Sequence, residues 1–184
     1  MNVANGIYVV PDILSPEECV DYIAIGERLG FGDAPISEAG GEIVRPEIRN
    51  NARVMIDDEK TAALLWDRIK AEVPAFLNGR QVRGVNERLR FYRYDPGQQF
   101  APHEDGSFTR ASGERSLLTL MVYLNEAFEG GETVFNETKI KPQTGMALIF
   151  QHALMHEGAP VMSGRKYVLR SDVMYDLVGR LTGG

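Results

Sequence analysis

The spacing of apolar residues changes part-way along the chain. In the first half it follows the helical period. In "SPEECVDYIAIGERLGF", Cys19, Tyr22, Ile23 and Ile25 form one apolar stripe. Ser15 is an N-cap, Pro16 suits the first helical position, and Glu17 and Glu18 face the positive end of the helix dipole. Gly30 is the expected stop. The pattern recurs in "EKTAALLWDRIKAEVPAFL", with Asp57 or Asp58 as cap and Ala62, Leu65, Trp66 and Ile69 on the inner face. Pro74 should end or bend that helix. "GIYVVPDIL" and "ARVMI" read as short strands. Residues 32–51 are polar and contain Gly and Pro, and read as one long loop. Asn78-Gly79 is a turn signal.

From Arg88 onward the apolar residues come in short runs of β-formers: "LRFYRYD", "SLLTLMVYLN", "ETVFN", "GMALIF" and "KYVLRSDVMY". Turn chemistry separates them, at Pro96-Gly97, Ser112-Gly113, Gly130-Gly131, residues 142–145 and Ser163-Gly164. Such spacing predicts a β-sandwich or jelly roll. "SLLTLMVYLN" is apolar on both faces, as in a strand covered on both sides, and the two helices are the expected cover. The fold expected is therefore α+β: a jelly roll, or double-stranded β-helix, with N-terminal support helices packed on one sheet. One domain should span 1–184, with a helical support region at 1–87, a mobile loop at about 32–51 and a catalytic core at 88–176.

Composition narrows the class. The 184 residues are 43% hydrophobic and 25% charged, with a formal net charge of −6. The acidic balance argues against a nucleic-acid partner. No apolar run approaches membrane-spanning length, so no membrane partner is expected. No targeting segment is evident, and the single cysteine, Cys19, suits a reducing compartment, so a cytoplasmic location is expected.

The chemistry centres on "PHEDGSF". Residues two apart on a strand point the same way, so His103 and Asp105 can aim an imidazole and a carboxylate at one point while Glu104 turns away. Alone, His-x-Asp is weak evidence. A third ligand must come from His152 or His156, since the chain has three histidines. Both lie just past "GMALIF", where a jelly roll can return them to the first pair. Two histidines and one carboxylate with open positions form the facial triad of non-haem Fe(II) oxygenases. Lys166 stands ten residues after His156, at the start of a strand. A dicarboxylate that chelates the metal with one end needs such a cation for the other, because an unpaired buried charge is costly.

Three stretches, "RFYRYDPGQQFAPHEDGSF", "TLMVYLNEAFEGGETVF" and "GMALIFQHALMHEGAPVMSGRKY", resemble the 2-oxoglutarate and Fe(II)-dependent oxygenases of the prolyl 4-hydroxylase type. The resemblance covers about residues 88–176. It implies His103, Asp105 and His156 as iron ligands and Lys166 as the partner of the distal carboxylate of 2-oxoglutarate. It implies Tyr94 near that co-substrate and Thr119 as a hydrogen-bond partner of the same carboxylate. Arg170, a second cation on the same strand face, competes with Lys166 for the role, and Lys166 is favoured; Asp172 is the other partner open to Arg170. Phe100 has no hydroxyl where some relatives offer one. The cofactors implied are Fe(II), 2-oxoglutarate and dioxygen, with ascorbate as reductant, and the reaction is hydroxylation of a C–H bond. His152 is read as structural, and Glu132 as a structural or rim acid.

Substrate contacts are expected from residues 32–51 and their flank, where Arg45, Arg49, Asn50, Asn51 and Arg53 could bind a peptide backbone or a carboxylate. A peptidyl proline, a free amino acid or another small molecule all fit. The competing reading is a metal-binding sensor module or a zinc hydrolase on the same fold. The buried cation separates the two, since a hydrolase has no need of it.

Overall fold

The computed structural model describes residues 2–38 and 41–177. The first part runs β1 (Asn2–Ala4), β2 (Ile7–Val10), α1 (Pro16–Leu29), β3 (Gly32–Asp33), β4 (Ile36–Glu38), β5 (Gly41–Ile43), β6 (Ala52–Asp57), α2 (Glu59–Ile69), β7 (Phe76–Leu77) and β8 (Arg80–Val85). Then come β9 (Arg88–Tyr94), β10 (Phe100–His103), β11 (Arg115–Tyr123), β12 (Phe128–Gly130), β13 (Thr133–Phe135), β14 (Thr138–Ile140), β15 (Ala147–Gln151), β16 (His156–Gly158), β17 (Val161–Gly164) and β18 (Lys166–Leu177). The major sheet has the order β1-β2-β15-β11-β18-β9-β6-β3, extended by β8 and β7 beside the far end of β18. The minor sheet is β10-β16-β13-β14. Two opposed antiparallel sheets make the expected jelly roll.

Helix α1 starts as its sequence dictates. The Ser15 hydroxyl accepts from the Glu18 amide at 3.2 Å, and the Glu18 carboxylate accepts from the Ser15 amide at 2.8 Å. This capping box satisfies two otherwise orphaned donors. Gly30, at φ 81°, ends the helix. Asp58 caps α2 through the amides of Lys60 and Thr61. Arg68 of α2 grips both carboxylate oxygens of Glu18, at 2.6 and 2.7 Å, and ties the helices together.

Strand alternation sorts the side chains into two compartments. Leu118, Leu120 and Val122 of β11 turn outward, into a core shared with Cys19, Leu65, Ile69, Leu89, Phe91 and Leu169 under the helices. Tyr123 turns inward with Tyr92, Tyr94, Phe150 and Val168, between the sheets. On β18 the inward set is Lys166, Val168 and Arg170, which places both candidate cations in the interior of the roll. Gly145 marks the tightest approach of backbone. A Cβ there would lie 2.1 Å from the Leu14 carbonyl oxygen, and its φ is 78°.

Three expectations are corrected. The region 1–87 is not only a helical support, since β2 and β6 pair directly with core strands β15 and β9. Residues 32–51 are not one loop. They hold β3, which pairs β6, and the β4–β5 hairpin with Ile36 opposite Ile43, and Arg49 bridges to Phe100. Helix α2 ends at Ile69, before Pro74. The residues after it turn back so that β7 and β8 pair across Asn78-Gly79, both at positive φ, as a two-residue hairpin requires.

Candidate active site

The site forms where the minor sheet closes over the major one. Strands β10 and β16 are antiparallel, and His103 and His156 are direct register partners. Their ring centroids lie 4.2 Å apart. Asp105, just past β10, turns its carboxylate to both: Oδ1 is 3.8 Å from His103 Nε2, and Oδ2 is 3.8 Å from His156 Nε2. Candidate ligand atoms of the three residues all lie within 4.8 Å of one another.

Hydrogen bonds fix which nitrogen each ring offers. His103 Nδ1 lies 2.8 Å from the Ala101 carbonyl and His156 Nδ1 lies 2.9 Å from the Leu154 carbonyl. A carbonyl only accepts, so both Nδ1 atoms carry the proton and both Nε2 lone pairs face the shared centre. Burial, then the neighbouring imidazole, pushes His103 down to about 4, and burial also lowers His156. Burial alone would raise Asp105, yet Arg170, His156 and the Thr119 hydroxyl hold it well below the usual carboxylate range. Two neutral imidazoles and one carboxylate, all aimed inward, are a fit donor set for Fe(II) with open positions.

Beyond this cluster the same cavity, of about 660 Å³, reaches Lys166. Lys166 is 2% exposed. Its ammonium donates to the Gly131 carbonyl at 2.6 Å and lies 5.1 and 5.4 Å from the ring centroids of Tyr94 and Tyr123. No carboxylate contacts it directly among the described residues, and burial pushes it down to about 7. Glu132 opposes this only in part and from beyond contact distance, so a buried lysine lining the cavity suits an incoming anion.

Comparison with known proteins matches residues 89–171 to the 2OG-Fe(II) oxygenase superfamily. The chain is similar to that superfamily over the segment that carries His103, Asp105, His156 and Lys166. It is 26% identical over 189 residues to prolyl 4-hydroxylase 1 of Arabidopsis thaliana, covering 88% of this chain and 66% of that one. It spans 60% of the length of a second Arabidopsis relative, probable prolyl 4-hydroxylase 7. Among solved structures, the viral collagen prolyl hydroxylase of Paramecium Bursaria Chlorella virus-1, in its 2OG complex, superposes with a TM-score of 0.63 at 26% identity. That match covers 94% of this chain and 98% of the viral one. A prolyl hydroxylase from Trichoplax adhaerens shares the fold, with a TM-score of 0.72 at 18% identity over 94% of this chain and 84% of the other.

The remaining residues expected at the site fall into place unevenly. Tyr94 lines the cavity beside Lys166, opposite it in the β9–β18 register. Thr119 does not serve as expected. Its hydroxyl donates to Asp105 Oδ2 at 2.5 Å and contacts His152 Nδ1 at 2.9 Å, so it is committed to the Asp105 carboxylate. Arg170 lies 3.0 Å from Asp105 Oδ1 and 3.4 Å from Asp172 Oδ1, a different station from that of Lys166. Of the five substrate candidates, Arg49 and Arg53 line the cavity. Asn50 instead bonds the Gln99 backbone, Asn51 braces Arg49 at 2.7 Å, and Arg45 pairs with Glu47 at 3.6 Å.

Arg49 is 6% exposed, its guanidinium 4.5 Å from the ring centroids of both Tyr92 and Phe100, and its Nη2 is buried without a hydrogen bond. Phe100 in turn stacks on His103 at 3.5 Å. The cavity wall thus carries Arg49, Arg53, Arg88 and Arg90 on a chain that is acidic as a whole. Among them Tyr92 is lowered to about 8; burial opposes this, while Arg170, Arg49 and Arg90 cause it.

Two residues near Lys166 were not singled out from the sequence. Thr133, fully buried and 2.6 Å from the Tyr123 hydroxyl, sits in the same cavity as Lys166. Gly131 supplies the carbonyl that Lys166 meets. Both belong to the Gly-Gly-Glu-Thr turn, and period-2 alternation with the apolar Phe135 would have marked Thr133 as inward-facing. No helix among the described residues is long and apolar enough to cross a membrane.

Proposed function

We propose that the protein is an Fe(II)- and 2-oxoglutarate-dependent oxygenase that hydroxylates a C–H bond of an amino-acid-like substrate. One observation carries the reading: a buried Lys166, with no carboxylate in contact among the described residues, in the cavity that holds the His103–Asp105–His156 cluster. His103 and His156 would hold the metal through Nε2, and Asp105 through its carboxylate. Bound there with 2-oxoglutarate and dioxygen, the metal supplies oxidising power for an unactivated C–H bond, with succinate and carbon dioxide as co-products and ascorbate keeping it reduced. What the chain contributes is position. Lys166 neutralises the distal carboxylate of 2-oxoglutarate, with the Thr133 hydroxyl in the same cavity, and so sets the reach of the other end toward the triad. The Tyr94 and Tyr123 rings flank the Lys166 ammonium and shield it from water.

Arg49 marks the substrate side. Its unbonded Nη2 asks for an oxygen acceptor, and its stack on Phe100 fixes it next to His103. A substrate carboxylate or peptide carbonyl fits this seat, and because the named relatives are prolyl hydroxylases, peptidyl proline is the first class to test. The experiment is succinate release by protein supplied with Fe(II), ascorbate and 2-oxoglutarate. Release should vanish in His103→Ala and fall in Lys166→Ala. Retention of zinc with no binding of 2-oxoglutarate would overturn the reading.

A further inference from the structure

His152 touches none of the candidate ligand side chains directly, yet it holds Asp105 from two sides. Its backbone carbonyl accepts from the Asp105 amide at 2.9 Å. Its ring, 5% exposed, connects to the Asp105 carboxylate through Thr119. Proton positions along this chain follow from what each atom can do. An ionised carboxylate only accepts, so the 2.5 Å contact with Asp105 takes the single Thr119 hydroxyl proton. The contact between Thr119 and His152 Nδ1, at 2.9 Å, must then be donated by Nδ1–H. His152 Nε2, 2.9 Å from Ser116 Oγ, accepts that hydroxyl, while Ser116 Oγ itself accepts from the Phe108 amide at 2.8 Å. Every bond runs one way, from Phe108 N–H through Ser116, His152 and Thr119 to Asp105 Oδ2. The other tautomer of His152 would draw the Thr119 proton to itself and leave two acceptors facing each other at the shortest contact of the chain.

We propose that His152 is a positioning residue for the metal centre: it locks the Thr119 hydroxyl into donating to Asp105, and so fixes the orientation of the metal-site carboxylate. The inference rests on the metal site proposed above. Within "HALMH" the two histidines thus divide the work: His156 offers its Nε2 to the centre, and His152, four residues earlier, aims the carboxylate from behind. Second-sphere partners of this kind are worth about 10–100-fold in metal affinity, and hydrogen bonds in a directed chain polarise one another.

The test is the Kd of the protein for Mn(II), read from the EPR signal of the free ion, with the apoprotein's melting temperature followed in parallel. Thr119→Val, which keeps the shape and removes the hydroxyl, should weaken Mn(II) binding about 10–100-fold, and so should His152→Leu. The double variant should be no weaker than the worse single one, because the chain acts as a unit. His152→Asn, whose amide nitrogen takes the place of Nδ1, should recover most of the affinity; a residue that merely filled space would show no such rescue. Folded variants that bind Mn(II) as the wild type does, or losses that add in the double variant, would overturn the proposal. If His152→Leu does not fold, Thr119→Val and His152→Asn decide it alone. Failure of the wild type to bind Mn(II) would instead sink the metal site itself.

Discussion

Lys166 and Arg170 lie on one face of β18 and serve different partners: the ammonium meets the Gly131 carbonyl at 2.6 Å, and the guanidinium meets Asp105 at 3.0 Å. Lys166→Ala should therefore raise the KM for 2-oxoglutarate about 10–100-fold, the worth of a hydrogen bond to a charged group, while metal affinity holds. Arg170→Gln should act in the opposite order, weakening metal more than co-substrate. Steady-state kinetics with a metal titration of both variants decides it; a larger KM effect from Arg170→Gln would reverse the assignment.

The depressed Lys166 gives stability a pH dependence. Folding lowers this group from its ordinary 10.5 to about 7. Between those values the unfolded chain binds more protons, so this residue's contribution rises with pH from about 7 upward, and its burial cost is fully present below 7. Lys166→Met should be more stable than wild type at pH 6 by about 1–4 kcal/mol, with the gap closing toward pH 9. Urea unfolding at several pH values measures it, and parallel profiles would contradict it. For the same reason 2-oxoglutarate binding at pH 8 should take up protons, visible by calorimetry in buffers of different ionisation enthalpy.

Gly131 should not tolerate a side chain. Its φ is 68°, and an added Cβ would lie 3.1–3.2 Å from Phe128, Val161 and the Lys166 stem. Gly131→Ala should cost about 1–3 kcal/mol in stability and weaken 2-oxoglutarate binding by displacing Lys166. Thermal unfolding with and without 2-oxoglutarate reads both effects.

Arg49→Gln should raise the KM for the primary substrate about 10–100-fold, and Arg49→Lys should not restore it, because a point charge cannot reproduce a planar group held between Tyr92 and Phe100. Substrate-stimulated succinate release is the measurement.

What could be read from the chain alone followed the range of the physics involved. Helix starts at Ser15 and Asp58 are local events, settled by a few neighbours, and the sequence announces them. The core strands were legible because two-residue alternation and glycine turns are local too. The β4–β5 hairpin was not legible, because polar, Gly-containing strands carry little hydrophobic signal and pair only through their backbones. Thr119 shows the other limit. Its inward direction was readable, but whether its hydroxyl met co-substrate or Asp105 depended on Asp172 and Phe150, its partners in β18 and β15, far away in sequence. Between His152 and His156 the sequence reading favoured His156 as the ligand and took His152 as structural. The structure separates them by register: His156 opens β16 opposite His103, while His152 falls in the turn behind Asp105.

The pairing of His103 with His156 also makes the centre a check on assembly. A slip of one residue between β10 and β16 would turn an imidazole to the opposite face of the sheet, and a misaligned molecule would have no pair of nitrogens to offer. Uptake of the ion would then discriminate between correctly and incorrectly zipped copies. Iron occupancy in a freshly made population would count the chains that have closed their minor sheet in step.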